Sequence, residues 1–304
     1  MRRAVSPTVL AGIYLVVVLG PLGLVAASAR TPLTPWIEAS VALGIVSGIG
    51  FAVQFITSGR LEILSGGVGI DVTMAFHKWS ARLLLALALA HPLVLAGPAW
   101  FTDPASAWQR MALMMRAPNL QSGVEAMALL VAMVALAVLR GRMRYEFWRA
   151  VHGILAVGVI AFIVHHALAA GLYSADGALR LVWLGLGAAV FATVVYLYLV
   201  RTIMLRRNPW QVARVEPLAR GLWRVTLQPL RRALDYRAGQ FVWMSLAGRR
   251  IPLFDHPFSI ASSPRAGPAL DLVIKEAGDF TDRTGALQPG TEVGLDGPHG
   301  SFVL

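Results

Sequence analysis

The chain has 304 residues, of which 57% are hydrophobic and only 14% charged, and its mean hydropathy is +0.63. Soluble domains carry about 25% charged residues, so this is the composition of a membrane protein. Cysteine is absent, which excludes disulfides, thiolate-ligated haem, cysteine-bound iron–sulfur clusters and a cysteine nucleophile. The formal net charge of +11 is accounted for by arginines clustered at one end of the apolar spans, so it does not call for nucleic acid as a partner.

Six apolar runs, at 8–28, 37–57, 74–97, 122–140, 148–170 and 179–201, are each near the ~20 residues that a bilayer requires. Basic residues alternate between their connections. Arg2 and Arg3 precede the first span, and Arg60, Lys78 and Arg82 surround the second connection. Arg140, Arg142, Arg144 and Arg149 crowd the fourth, and Arg201, Arg206 and Arg207 follow the last span. The other connections hold only Arg30, Arg110 with Arg116, and Arg180. The positive-inside rule then places both termini in the cytoplasm of a multi-pass plasma (inner) membrane protein. Met1-Arg2-Arg3, the run after it and Ala26-Ala27-Ser28-Ala29 imitate a cleavable signal. The run is long for one, however, and Gly20-Pro21 interrupts it as a kink in a retained span does.

Ionisable side chains inside spans mark function. The third span carries His77 and His91; the fifth carries His152 and then His165-His166. A fourteen-residue separation gives a rise of about 21 Å and a net rotation of about −40° on an α-helix, so His77 and His91 share one face at two depths. The third and fifth spans run in the same direction. This pairs His77 with His152 at the inner depth, and His91 with His165 or His166 at the outer. A separation of fourteen keeps His166 on the face of His152; thirteen, for His165, rotates by about −140° unless a π-bulge absorbs the difference. Two such pairs suit two haems, one above the other, with imidazole on each side of each iron. A single span histidine is more often a helix–helix hydrogen bond or part of a proton relay, and a non-enzymatic protein built on those uses is the rival reading. Trp79, Trp100, Trp108 and Trp148 are expected in the interfacial aromatic belts. Arg82 and Arg149 are placed to meet haem propionates, though positive-inside charge accounts for them equally.

After Arg207 the pattern changes. Asn208-Pro209 ends the helix, and short alternating segments follow. Leu222–Leu227, Gln240–Leu246, Phe258–Ala261, Leu270–Lys275 and Thr291–Leu295 read as strands of a small antiparallel barrel. The fold class expected is therefore a multidomain membrane protein: an all-α six-helix transmembrane bundle over 1–205, then a cytoplasmic β-barrel over 206–304. In the barrel, His256-Pro257-Phe258-Ser259-Ile260 sets an aromatic ring and a hydroxyl on one strand, suited to a flat heterocycle. Gly278-Asp279-Phe280-Thr281 opens a short helix that Thr281 is expected to cap, with N–H groups suited to a pyrophosphate. Gly297-Pro298-His299-Gly300 is a turn that permits close approach of a cofactor. Each stretch alone is equally a strand, a cap or a turn.

Taken together with Tyr236-Arg237-Ala238-Gly239-Gln240-Phe241-Val242, these stretches resemble the flavin-binding barrel of the ferredoxin-reductase superfamily. Preceded by six spans with two histidine pairs, the whole resembles the ferric reductase and NADPH oxidase family. The resemblance implies FAD on the barrel and two b-type haems passing electrons outward to oxygen, giving superoxide, or to a ferric chelate. It implies His77, His91, His152 and His165 as haem ligands, with His166 the alternative, since the family uses both spacings. It places His256, Pro257, Phe258, Ser259 and Ile260 at the flavin ring, Ser259 as its hydrogen-bond partner, Lys275 and Thr281 near the pyrophosphate, and Gly297 and Gly300 in the turn beside the flavin. Family members continue into a nucleotide-binding domain that docks NAD(P)H; this sequence stops at Leu304, so the expectation is that a truncated or separate dehydrogenase domain supplies hydride. Gly66-Gly67-Val68-Gly69-Ile70 imitates that domain's glycine loop but lies between spans without βαβ context and reads as a loop. Arg110 and Arg116 on an outer connection are candidates to attract an anionic acceptor. A variant of the enzymatic reading makes the chain a haem subunit that donates electrons to a periplasmic partner.

Overall fold

The computed structural model describes residues 6–28, 30–58, 69–174, 177–246 and 253–300. The glycine-rich stretch 66–68 lies outside them. Six helices are long and apolar enough to cross a membrane: α1 (Pro7–Ala26), α2 (Pro35–Ile56), α3 (Ile70–Ala96), α6 (Gln121–Val138), α7 (Tyr145–Ala170) and α8 (Gly177–Val195). Between α3 and α6 lie a single turn, α4 (Ala99–Thr102), and an amphipathic helix that the sequence reading did not foresee, α5 (Pro104–Met114). Its start is written locally: Pro104 stands at the first helical position, and the Asp103 carboxylate accepts from the Ser106 amide at 3.2 Å. After α8 come a π-helical stretch, Tyr196–Val200, and α9 (Arg201–Arg207), which stops at Asn208.

The chain forms two compact units. The first takes the described residues up to 58 together with 71–193; the second takes residues 69 and 70 and those from 194 onward. In the first, α2 is the hub, with half of its apolar window buried. Small residues let neighbours close in on it. A Cβ added at Gly48 would stand 2.9 Å from both Ile163 and Trp183, and one at Gly50 would strike Leu84. This is small-residue helix packing, in which backbones approach because nothing projects between them. The Trp183 indole is buried and donates to Ser174 Oγ at 3.0 Å. Tyr173 donates to Glu38 Oε1 at 2.6 Å, tying the α7–α8 connection to the start of α2. The same carboxylate holds the Tyr173 phenol above its usual pKa by accepting that bond.

The second unit is a six-stranded antiparallel sheet: β1 (Trp210–Ala219), β2 (Leu222–Pro229), β3 (Phe241–Leu246), β4 (His256–Ser259), β5 (Leu270–Lys275) and β6 (Glu292–His299). The spatial order is β4-β3-β6-β1-β2-β5. The two outermost strands also meet: Ile260 bridges Leu272, and the Ala261 amide donates to the Asp271 carbonyl at 2.8 Å. The sheet thereby closes on itself and leaves its edges protected. Val212, Val225, Leu227, Val242, Leu272 and Val293, all with no exposed surface, form the centre of one core.

Candidate functional site

The helical unit brings the outer histidines together. His91 of α3 and His166 of α7 face each other with ring centroids 6.3 Å apart, their planes at 74°. His165, the ligand that the resemblance favours, is exposed and lies on another face of α7. α7 runs as one α-helix from Tyr145 to Ala170, so His166, fourteen residues after His152, shares the face of His152.

Each outer ring is seated against a glycine of a neighbouring helix. A Cβ on Gly44 would lie 3.0 Å from Nδ1 and Cε1 of His91; one on Gly123 would lie 2.7 Å from the same atoms of His166. Ser40, fully buried on α2, adds a reciprocal pair of bonds: His91 Nδ1 donates to the Ser40 carbonyl at 2.7 Å, and Ser40 Oγ donates to the His91 carbonyl at 2.8 Å. With its proton on Nδ1, His91 keeps its lone pair on Nε2.

At the inner end, Gln54 Nε2 donates to the His77 carbonyl at 3.0 Å. The His152 ring stacks on Trp148 at 5.2 Å, with the Arg140 guanidinium 4.7 Å above that indole. The Nδ1 atoms of His77, His152 and His166 are buried without a hydrogen-bond partner among the described residues. Arg82 lies over Trp79 at 4.6 Å and Arg149 over Tyr145 at 5.8 Å. Both of the proposed propionate partners thus have their guanidinium over a ring of their own helix.

Sequence reasoning missed Ser40, Gly44, Gln54 and Gly123, and assigned Trp148 only to an aromatic belt. Two signals were available. Ser40, Gly44 and Gly48 recur every fourth residue, the spacing of a close helix contact, and Trp148 stands four residues before His152, the distance at which helical side chains stack.

In the barrel, strand alternation divides the expected flavin stretch. His256 and Phe258 are half-buried, whereas Pro257 and Ser259 are exposed, because successive residues of a strand point to opposite faces. The aromatic ring and the hydroxyl therefore do not share one surface. His256 lies under Phe280 at 4.1 Å, and Phe258 is 6.0 Å from the same ring. Ile260 is buried in the core.

Ser259 belongs to a different patch. It pairs with Phe241, which pairs in turn with His299, and the Phe241 and His299 rings are 5.6 Å apart. Directly opposite residues share a sheet face, so Ser259, Phe241 and His299 form one row. Gly297 and Gly300, with φ of 154° and 104°, close the turn against it. A Cβ on Gly297 would come within 3.0 Å of Val242, and one on Gly300 within 3.3 Å of Phe241. His299 is held from beneath by Arg201, a buried arginine that is ion-paired with Asp296 and 3.4 Å from His299 Nε2.

The third stretch departs from expectation. The six-residue 3-10 helix Thr281–Ala286 has Phe280, not Thr281, at its N-cap. Thr281 turns back instead: its hydroxyl accepts from the Ala277 amide at 2.8 Å and donates to the Gly278 carbonyl at 3.1 Å. The Gly278 amide donates to Asp282 at 3.2 Å, and the Asp282 amide donates back to the Gly278 carbonyl at 2.9 Å. Lys275 is exposed at the end of β5.

Fold and sites together define a membrane-spanning helical unit with paired histidines, followed by a flavin-type antiparallel barrel. Comparison with known proteins gives the family. Residues 43–163 match the ferric reductase like transmembrane component, and residues 207–301 match an FAD-binding domain; the chain is a ferric-reductase-like transmembrane component joined to an FAD-binding domain. It is 31% identical over 99 residues to the reductase component of a propane 2-monooxygenase from Mycolicibacterium goodii, an alignment covering 31% of this chain and 27% of that protein. Among solved structures, a ferredoxin reductase in carbazole 1,9a-dioxygenase aligns over 32% of this chain and 29% of its own, with 23% identity and a TM-score of 0.28. A flavohemoglobin from Malassezia yamatoensis aligns over 88% and 64%, with 11% identity and a TM-score of 0.33.

Proposed function

We propose that this chain carries electrons across the plasma membrane, from reduced FAD on the cytoplasmic barrel, through two bis-histidine b-type haems, to oxygen or a ferric chelate outside. The observation that carries the reading is the outer pair: two imidazoles 6.3 Å apart with their planes at 74° inside an apolar bundle, one with its tautomer fixed by a backbone carbonyl.

The donor set fits a porphyrin better than a bare ion. Among the described residues there is no group of three or more His, Cys, Asp or Glu side chains that could hold a metal. A structural or catalytic metal takes about three or four protein ligands, whereas haem iron needs only the axial two. With a metal–nitrogen bond of about 2 Å, two imidazoles on opposite sides of one ion have centroids roughly 6 Å apart, close to the 6.3 Å of His91 and His166. A proton relay needs an unbroken series of hydrogen-bond partners. His77, His152 and His166 have none at Nδ1 among the described residues, which weighs against that alternative.

When bound, the flavin supplies electrons one at a time and the haem irons accept them singly. His77 with His152, and His91 with His166, would hold the haem irons. Ser40 keeps Nε2 of His91 unprotonated, and the apolar side chains of α2, α3, α6 and α7 keep water from these rings. On the barrel, Ser259 offers its hydroxyl to the edge of the flavin ring, beside the Phe241–His299 row and the Gly297–Gly300 turn. The His256–Phe258–Phe280 cluster lies on the opposite, core-facing side of the strand, and Lys275 would meet the phosphates. The haem-bearing part is 1–205 and the flavin-bearing part 206–304. Reducing equivalents come from NAD(P)H on a nicotinamide-binding domain, separate or joined to this polypeptide. The basic residues at 140–149 and 201–207 support cytoplasmic termini.

The test is cofactor stoichiometry on the purified chain, with its dithionite-reduced minus oxidised spectrum. Two haems with low-spin bis-imidazole bands and one FAD per chain are expected. A colourless preparation from haem-replete cells sinks the proposal.

A further inference from the structure

The two outer histidines are not equivalent. His91 is fixed at both of its ends. Its Nδ1 proton is committed to the Ser40 carbonyl at 2.7 Å, and its own carbonyl accepts from Ser40 Oγ at 2.8 Å. Ser40 has no exposed surface, so water does not compete for these bonds. Gly44, one turn further along α2, backs the same edge of the ring.

His166 has the glycine but not the hydrogen bonds. Its Nδ1 is buried without a partner among the described residues, and what faces that edge is the backbone of Gly123, whose added Cβ would stand 2.7 Å from Nδ1 and Cε1. Among the described residues no acceptor selects its tautomer, and packing sets its orientation. A ligating histidine ordinarily donates its second ring N–H to a carbonyl or carboxylate, which orients the ring and raises its basicity; losing that partner costs about 10- to 100-fold in metal affinity.

We infer that the outer pair is asymmetric: His91 is the fixed axial ligand, positioned by Ser40, and His166 is the exchangeable one, whose place a small neutral ligand such as imidazole or carbon monoxide can take. The inference rests on the reading above that this pair holds haem iron. It adds a residue with a positioning role, Ser40, and a direction from which the iron opens.

The test compares His91→Gly with His166→Gly in the full-length chain, reading haem content and spin state by absorption and electron paramagnetic resonance. His166→Gly is expected to keep two haems per chain. One of them becomes high-spin, binds carbon monoxide when reduced and returns to low spin in millimolar imidazole. His91→Gly is expected to keep only one haem. Adding Ser40→Ala to His166→Gly removes the hydroxyl's bond to the His91 carbonyl and leaves the Ser40 carbonyl in place, so transfer of the outer haem to apomyoglobin should speed by about 2- to 10-fold, for one lost hydrogen bond. Gly123→Ala and Gly44→Ala, which press on the same two rings, repeat the contrast without removing a ligand. Equal loss of haem from the two histidine variants, or loss from His166→Gly alone, overturns the asymmetry while leaving the haem assignment standing. Two unchanged low-spin haems in both variants would overturn the haem assignment itself.

Discussion

The two units solve opposite problems with the same residue types. In the helical unit the candidate side chains are inside, and each is set by one neighbour: His91 by Ser40, the His166 ring by the room left by Gly123, His152 by Trp148. In the barrel, core and site are separated by strand alternation. Val242 and Met244 of β3 point into the core, while Phe241, between the turn and Ser259, lies in the candidate row. Chemistry and stability are therefore entangled in the first unit and separable in the second.

The largest expected effect tests the entangled side. His77→Ala or His152→Ala should lower haem content from two to one per chain with flavin unchanged, measured by pyridine haemochrome and by released-flavin fluorescence. Simultaneous loss of flavin would break the comparison, since it would make the units interdependent. Next, Leu227→Ala removes a side chain with no exposed surface from the barrel core and should cost roughly 2–5 kcal/mol. The temperature of flavin release falls, while haem content holds. Ser259→Ala should do the reverse, weakening flavin binding by about 3- to 10-fold for one lost hydrogen bond without moving the barrel's melting temperature. Phe280→Ala should have a smaller effect than Ser259→Ala; the opposite ranking would move the flavin ring to the His256 face. The smallest effect is expected from Arg110→Glu with Arg116→Glu. The KM for an anionic ferric chelate should rise about two- to threefold at low salt and converge with the parent at high salt.

How much of this was legible beforehand differs between the units in the same way. All six spans were evident, because an apolar run of twenty residues needs no partner to be recognised. Three of the six strands were read nearly to their ends, β4 was read two residues late, and β6 was stopped four residues short. β1 was missed altogether. It carries register shifts between Val212 and Arg214 and again between Pro217 and Ala219, so its inward residues fall out of a period of two and the alternation disappears from the sequence. Site geometry was legible where it follows from a helical period, as for His91 and His166. It was not legible where it depends on a contact between distant segments. Ser40 and His91 are 51 residues apart, and nothing in either local sequence announces the other. Thr281 was misread for a related reason: its hydroxyl found nearer partners in its own loop than the helix amides it was expected to serve.

The partner of His91 Nδ1 is a peptide oxygen rather than a side-chain atom. Every amino acid that replaces residue 40 brings the same carbonyl with it, so the genetic code has no substitution that deletes this acceptor. The setting of the outer imidazole is inscribed in the main chain of α2 and can be disturbed only by shifting that helix. Inherited variation in this protein is thus free to retune the ring's surroundings, and has little means of erasing its anchor.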